Sequence, residues 1–199
     1  ACFESAEIFS RQPKMADAVI NGTMDQLHVS TSVPVIEAGY HLLLEKPIAK
    51  SHEELATLVD AAQKTDQILM ICHNLRHAPF YVAVQRSIAE GEIGRIMAIH
   101  TSENVGYDHM GQSFVRGKWN REEVSPMLLQ KCCHDMDVIC WLKSGSAPGR
   151  VSSFGSLMYF REENAPEGAG LRCLVDCEIE STCHYSARKN FIGNELYST

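Results

Sequence analysis

Two charged side chains stand where they could handle a proton and a developing negative charge. Lys46 lies between a glutamate and a proline, just after the apolar run His41–Leu44. His134 lies three residues after Lys131 and three before Asp137, so the three can share one helix face. A histidine accepts protons near neutral pH, and a cation stabilises an alkoxide. Taken alone, Lys46 is more simply a solvated loop residue, and His134 a packed or capping histidine.

The elements that must position these groups begin with three short apolar runs. The runs Asp17–Asn21, His41–Leu44 and Ile68–Ile71 have the length and composition of buried strands. Amphipathic stretches between them indicate helices, so strands and helices alternate along the chain. The sequence therefore predicts an α/β fold with a parallel, Rossmann-like sheet that is covered by helices on both faces.

The two helices between these strands have recognisable ends. His28–Ala38 stops at Gly39, because glycine readily adopts the left-handed conformation found after a helix. Ser51 and Glu54 form a capping-box pattern that opens the second helix. We expect the buried face of that helix to contain Leu55, Leu58, Val59 and Ala62.

Polar residues follow each strand of the predicted sheet. They are Asn21-Gly22-Thr23, Glu45-Lys46-Pro47 and Cys72-His73-Asn74. Strand ends are often polar simply because they become loops, but ligands of parallel sheets also bind outside the carboxyl ends of the strands. We expect Lys46 and Asn74 to open at the same edge of the sheet.

The elements predicted after Asn74 are longer and are separated by longer loops. They are helices over Pro79–Glu90 and Ser125–Lys143, strands over Ile96–Glu103 and Val151–Phe160, and a loop over Gly106–Gly117. We place the domain boundary after residue 78. Residues 1–78 would form a partial dinucleotide-binding domain, and residues 79–199 part of an α+β substrate domain.

Composition narrows the function classes. The chain has 199 residues and a formal net charge of −7, which argues against a nucleic-acid or anionic-membrane surface. It contains no apolar run of the length of a transmembrane helix. Cys173, Cys177 and Cys183, with the adjacent His184, are spaced poorly for zinc, so we expect no metal. We expect reduced thiols and a cytoplasmic location, with an upstream export signal left open.

Three segments, in this order, resemble the glucose–fructose oxidoreductase / inositol dehydrogenase (Gfo/Idh/MocA) family. They are Gly22–Ala49, Ile68–Phe80 and Ser125–Leu142. The first carries Glu-Lys-Pro after a strand, the second carries His-Asn, and the third carries His-x-x-Asp beginning at His134. A lone Glu-Lys-Pro is a weak signal, whereas the three patterns in this order and context are specific. The resemblance covers most of residues 4–190.

The resemblance implies hydride transfer between a nicotinamide cofactor, NAD or NADP, and a sugar, polyol or related carbohydrate. Lys46 would hold the substrate hydroxyl and tune His134, the proton acceptor; the Lys46–Pro47 bond is a candidate for the cis form. Implied cofactor contacts are Thr23, Met24, Leu27, His28, Glu45, Lys46, Pro47 and Asn74. Candidate substrate contacts are Lys131, Arg76 and Trp119. Lys131 could instead replace the family's acid as an orienting group, and surface or packing roles are at least as well supported for Arg76 and Trp119.

The chain departs from the family pattern in three places. It ends at Thr199, before most of the open antiparallel sheet that such proteins usually complete. Many relatives carry an acid four residues before the catalytic histidine, where this chain has Gln130, with Lys131 beside it. The glycine-rich diphosphate turn is missing, because no G-x-G-x-x-G run occurs. We therefore expect a fragment that by itself binds NAD(H) weakly and is inactive, and whose full-length protein is a homo-oligomer.

Two other functions fit the same residues. Some relatives are glycoside hydrolases that use tightly held NAD for a transient oxidation, and nothing in this sequence separates them from net dehydrogenases. A non-catalytic sensor that binds the dinucleotide as a signal is the other alternative. Because a sensor needs neither Lys46 nor His134, their presence speaks against it.

Overall fold

A computed structural model describes residues 2–193, which form two compact units. One unit comprises the residues up to 103 together with 121–147, and the other comprises 104–120 together with the residues from 148 onward. The candidate residues Lys46 and His134 both belong to the first unit. The predicted domain boundary after residue 78 stays a prediction.

The first unit contains a three-stranded parallel sheet. Its strands are β1 (Ala18–Asn21), β2 (His41–Leu44) and β3 (Leu69–Ile71), and they are hydrogen-bonded in the order β1-β2-β3. The predicted α/β class and parallel sheet are confirmed. Since all strands run the same way, the loops after Asn21, Leu44 and Ile71 open at one edge.

Helices connect and flank these strands. The α-helices are α1 (Ala6–Ser10), α2 (His28–Glu37), α3 (His52–Gln63), α4 (Pro79–Ala89), α5 (Tyr107–His109) and α6 (Met127–Leu142). Short 3-10 turns span Asp25–Leu27, Asn74–His77 and Glu162–Asn164, and π-helical turns span Met110–Val115 and Arg188–Ile192. The four predicted helices α2, α3, α4 and α6 are confirmed to within about two residues at each end. In the described chain, residues 2–193, no helix is long and apolar enough to cross a membrane.

The hydrophobic core lies between the sheet and helices α2 and α3. Along β2, Leu42 and Leu44 are buried and alternate with half-buried neighbours, as expected for a strand with one covered face. Their main partners are the buried side chains Val29, Val35, Ile36, Tyr40 and Leu58. This cluster anchors the strand that ends one residue before Glu45 and two before Lys46.

The opposite face of the sheet is open in the described residues. Ile20, Leu43 and Met70 lie in register across the three strands, and Ile20 and Met70 are 75% and 48% exposed. The prediction of helices on both faces is therefore wrong for the part of the chain that the structure describes. The apolar runs predicted burial because their residue types are those of a strand covered on both sides.

Helix α3 confirms its predicted start but not its predicted buried face. Ser51 Oγ accepts the N–H of Glu54 at 3.2 Å, whereas the Glu54 carboxylate accepts the N–H of Lys50 at 3.0 Å. The fully buried positions are Leu58 and Ala61, and the predicted Leu55 and Val59 are exposed. Helical periodicity correctly predicts that Leu58 is buried, but fewer residues of the apolar face are covered than the pattern suggests.

Two predicted strands are wrong. Residues 96–103 and 151–160 form no strand, and the predicted loop Gly106–Gly117 contains α5 and a π-helical turn. A strand needs a neighbour for its backbone N–H and C=O groups. In the described residues, these segments pair neither with each other nor with the edge strands β1 and β3.

Candidate active site at the carboxyl edge of the sheet

The loop after β1 is fixed by one buried side chain, Asn21. Its Oδ1 accepts the N–H of Thr23 at 3.1 Å and the Thr23 hydroxyl at 2.8 Å. Its Nδ2 donates to Thr31 Oγ1 and Ser32 Oγ of α2, both at 2.8 Å. The amide thus holds the exposed Thr23 loop against the first turns of the helix.

A buried histidine joins this loop to the loop after β2. His28 is 1% exposed; its Nδ1 lies 2.7 Å from the carbonyl oxygen of Pro47, and its Nε2 lies 3.1 Å from that of Thr23. The Lys46–Pro47 bond is cis, as predicted. Because the His28 ring is sealed from solvent, it would affect a ligand through the two loops it holds.

Lys46 reaches from the end of β2 to the first turn of α6. Its ammonium donates to the backbone oxygen of Gln130 at 3.3 Å and also to the side-chain oxygen of Gln130. The amide nitrogen of Gln130 in turn donates to Asp25 Oδ2 at 2.9 Å. Gln130 and Asp25 are 4% and 5% exposed, so the three side chains form a largely buried chain of hydrogen bonds.

His134 follows Gln130 by one turn of α6. Burial lowers its pKa below the ordinary value, and the charges of Lys46, His73 and Lys131 lower it further, against the opposing effect of Asp135. Its Nδ1 is buried and has no hydrogen-bond partner among the described residues. The lowered pKa favours the neutral imidazole, which is the form that accepts a proton.

A second histidine and an ion pair lie beside His134. The rings of His73 and His134 meet edge to face, with 6.1 Å between their centroids. Asp137 accepts two hydrogen bonds from Arg76, both at 2.7 Å, and lies 3.8 Å from His73 Nε2. The guanidinium of Arg76 also lies 5.8 Å from the centre of the Trp141 ring. Arg76 is thus held by α6, and its predicted substrate contact stays a prediction.

The remaining cofactor candidates line the same edge. The Glu45 carboxylate accepts the N–H of Lys46 at 3.1 Å, and burial together with Glu45 raises the pKa of the Cys72 thiol. Asn74 is exposed at the start of its 3-10 turn, Leu27 is 45% exposed, and Met24 is half-buried. The structure brings all of them to the strand ends, and their roles stay predictions.

Trp119 belongs to the second unit. Its ring lies 6.2 Å from that of Phe114, and the Lys118 ammonium lies 4.5 Å from its centre. Its predicted contact with substrate is not tested by this placement.

The eight cysteines are free thiols. Across residues 2–193, no three His, Cys, Asp or Glu side chains are grouped so that they could hold a metal ion. An open cavity of about 600 Å³ lies in the first unit and is lined by Gln26, Lys50, Arg121, Glu123 and Val124.

The pKa of His134 provides a test of this electrostatic environment. Replacing Lys131 by Gln removes one of the cations that lower this pKa, so the pKa should rise. An NMR titration of the imidazole signals measures it, with His73 as the internal control, because Lys131 is not among the groups that shift the pKa of His73. A fall in the pKa of His134, or equal shifts in both histidines, would contradict the arrangement.

Known proteins resemble this chain mainly in its first part. Residues 1–73 match the model of an oxidoreductase family with an NAD-binding Rossmann fold. A 1,5-anhydro-D-fructose reductase of Ensifer adhaerens is 40% identical over 82 residues, which are 41% of this chain and 25% of the reductase. A 2,7-anhydro-N-acetylneuraminate hydratase of Escherichia coli is 29% identical over 143 residues, 71% of this chain and 37% of the hydratase.

Solved structures agree with these matches. A levoglucosan dehydrogenase in complex with NADH and levoglucosan is 25% identical, with a TM-score of 0.57, over 67% of this chain and 36% of that protein. The chain thus spans between 25% and 37% of the length of these three proteins. Over its first 73 residues, the chain is similar to the Gfo/Idh/MocA family of oxidoreductases with an NAD-binding Rossmann fold.

Proposed function

We propose that this chain is part of an NAD(P)-dependent oxidoreductase that acts on a sugar, a polyol or a related carbohydrate. The observation that carries the proposal is the contact of the Lys46 ammonium with Gln130, one helical turn before His134, at the carboxyl edge of the sheet. The Lys46 ammonium is close enough to His134 to lower its pKa. A fixed cation beside a neutral base is what removal of a proton from an alcohol requires.

The residues at this edge fit the nicotinamide part of a dinucleotide. Thr23 and Asn74 offer exposed polar groups, and the space beside Gly22 is open, so a ligand can approach its backbone closely. Glu45 is the candidate for the nicotinamide ribose. When bound, the nicotinamide would accept or supply the hydride. NADH in the levoglucosan dehydrogenase complex supports NAD, and NADP is the other candidate.

Lys46 would orient the substrate and stabilise the charge that develops on its oxygen. An ammonium has three N–H groups, and two of the Lys46 bonds go to oxygens of Gln130. The third N–H is then left for a substrate hydroxyl. Because Gln130 carries no charge, it does not neutralise Lys46 by contact, and the ammonium can stabilise the negative charge on the substrate oxygen as its proton leaves.

His134 would take that proton. Its Nδ1 is sealed from solvent, so we assign proton transfer to Nε2. Burial and the nearby Lys46 keep the imidazole neutral and ready to accept, and they also favour release of the proton to solvent afterwards. In the direction of carbonyl reduction the same two groups act in reverse.

A second candidate is an enzyme that oxidises its substrate only transiently and adds water, such as an NAD-dependent glycoside hydrolase. It is favoured by one observation, the similarity to a hydratase over 71% of this chain. The first step would use Lys46 and His134 in the same way. In the second candidate the hydride is returned to the same molecule and water is added, whereas in the first the hydride stays on the cofactor. A dinucleotide sensor is less well supported, because it would need neither residue.

The deciding experiment follows reduced cofactor and sugar product together. The full-length protein that contains this sequence is supplied with NAD⁺ or NADP⁺ and a panel of anhydrosugars, inositols and glycosides. We expect NADH or NADPH to form in step with the loss of the alcohol. Cleaved or hydrated product without net reduced cofactor would establish the second candidate instead. No turnover of any such compound, with intact dinucleotide binding, would contradict both.

We also propose a cytoplasmic homo-oligomer. Eight free thiols fit a reducing compartment. The open row of Ile20, Leu43 and Met70 supports a further layer over the sheet, from another part of the protein or from a second copy.

A further inference from the structure

We propose that Asp25 and Gln130 act together as a positioning relay for Lys46 and replace the acid that many relatives carry four residues before the catalytic histidine. The catalytic consequence rests on the proposed function, whereas the relay itself is a property of this chain. Asp25 and Gln130 are positioning residues, because neither needs to touch the substrate.

The bonding pattern of Gln130 is the first argument. An ammonium can only donate hydrogen bonds and a carboxylate can only accept them, while an amide does both. The amide oxygen therefore faces Lys46 and the amide nitrogen faces Asp25, as the structure has it. The acceptor at one end and the donor at the other thus fix the orientation of the amide. Asp25 thereby holds Gln130 in the position from which its oxygen accepts the hydrogen bond of Lys46.

The burial of Asp25 is the second argument. At 5% exposure its carboxylate has left most of its water, which is unfavourable unless polar groups and a positive charge compensate. The Gln130 amide meets it at 2.9 Å and leads directly to the Lys46 ammonium. A buried carboxylate and a half-buried lysine thus balance each other across one uncharged side chain.

The charge around Lys46 is the third argument. Lys46 influences the pKa of each of four neighbours, Cys72, His73, Cys133 and His134, so it is the central cation of this edge. An acid at position 130 would neutralise it by direct contact. With glutamine there, the balancing charge lies one side chain farther away, and Lys46 keeps its effect on His134.

The test measures how well the Lys46 ammonium is held, in the 199-residue chain. With ¹⁵N-labelled lysine, NMR gives the rate at which ammonium protons exchange with water, and loss of a signal in Lys46→Arg assigns it. Asp25→Ala and Gln130→Met should raise this rate about tenfold or more, since hydrogen bonds to charged groups are the strong ones. Asp25→Asn keeps an acceptor for the Gln130 amide and should stay within about threefold of the unsubstituted chain.

Lys143 is the internal control. Its ammonium donates to the backbone oxygen of Ile96 at 2.9 Å, outside the relay, so its exchange rate should not change. If one variant unfolds, both lysines exchange fast, and the other variant then carries the comparison. Exchange at Lys46 that stays slow in Asp25→Ala or Gln130→Met, or that is as fast in Asp25→Asn as in Asp25→Ala, would overturn the relay.

Kinetics of the full-length protein separate the relay from the proposed function. Asp25→Ala should lower kcat by about tenfold or more with little change in the KM for cofactor, and Asp25→Asn should recover part of the loss. Equal losses in both variants would overturn a positioning role for Asp25. If exchange at Lys46 responds as expected but the unsubstituted protein transfers no hydride, the relay stands and the proposed function fails.

Discussion

Replacing Lys46 by Met should lower the turnover of the full-length enzyme by about 10²–10⁴-fold, with little change in its affinity for the cofactor. The substitution removes the cation from the substrate oxygen while keeping an unbranched side chain of similar length. His134→Ala should have an effect of the same order, because it removes the proton acceptor. Steady-state kinetics give kcat and KM, and calorimetric titration gives the cofactor affinity.

The matched control is Lys50→Met. Lys50 lies four residues after Lys46 in the same loop, but its ammonium pairs with Glu54 at 3.6 Å and makes no contact with Gln130 in the described structure. Its replacement should change turnover by less than about threefold, since exposed pairs contribute little. If Lys46→Met retains full turnover, or if both variants lose it equally, the assignment of Lys46 is wrong.

Leu44→Ala should destabilise the first unit by about 2–5 kcal/mol, which is a large part of the stability of an ordinary domain. Leu44 is fully buried in the core between the sheet and α2 and α3, so the truncation leaves a cavity. Thermal or urea unfolding measures the loss. The control is Ile20→Ala on the open face, where the side chain is 75% exposed and the cost should stay within about 0.5 kcal/mol. Equal losses would show that the open face is covered in solution.

Sequence alone predicts the elements whose signal is local. The runs around Ile20, Leu43 and Met70 are strands because three or four apolar residues in a row suit a sheet. Gly39 marks the end of α2 through its positive φ of 84°. The strands predicted at 96–103 and 151–160 fail because a strand is completed by its neighbours, which an isolated run cannot reveal. The exposure of Leu55 has the same origin, since periodicity gives a face but not what covers it.

In the candidate site, too, the sequence predicts the residues that lie in local motifs but not the contacts between distant residues. Lys46 and His134 are found from motifs that the family resemblance makes specific. The contact between Asp25 and Gln130 is missed, because the two residues are far apart in the chain and no local pattern indicates that this carboxylate and this amide are in contact. The one available signal was the glutamine at a position where many relatives carry an acid. It showed that something there had changed but not which residue compensates.

The buried ring of His28 has a consequence for the entropy of binding. One imidazole spans the carbonyl oxygens of Thr23 and Pro47, so the loops after β1 and β2 are ordered together before any ligand arrives. Ordering a flexible loop on binding costs affinity for each side chain and backbone angle that becomes fixed. For a ligand that contacts both loops, folding has already ordered part of the binding site. Less conformational entropy is then lost on binding, so more of the contact energy contributes to affinity.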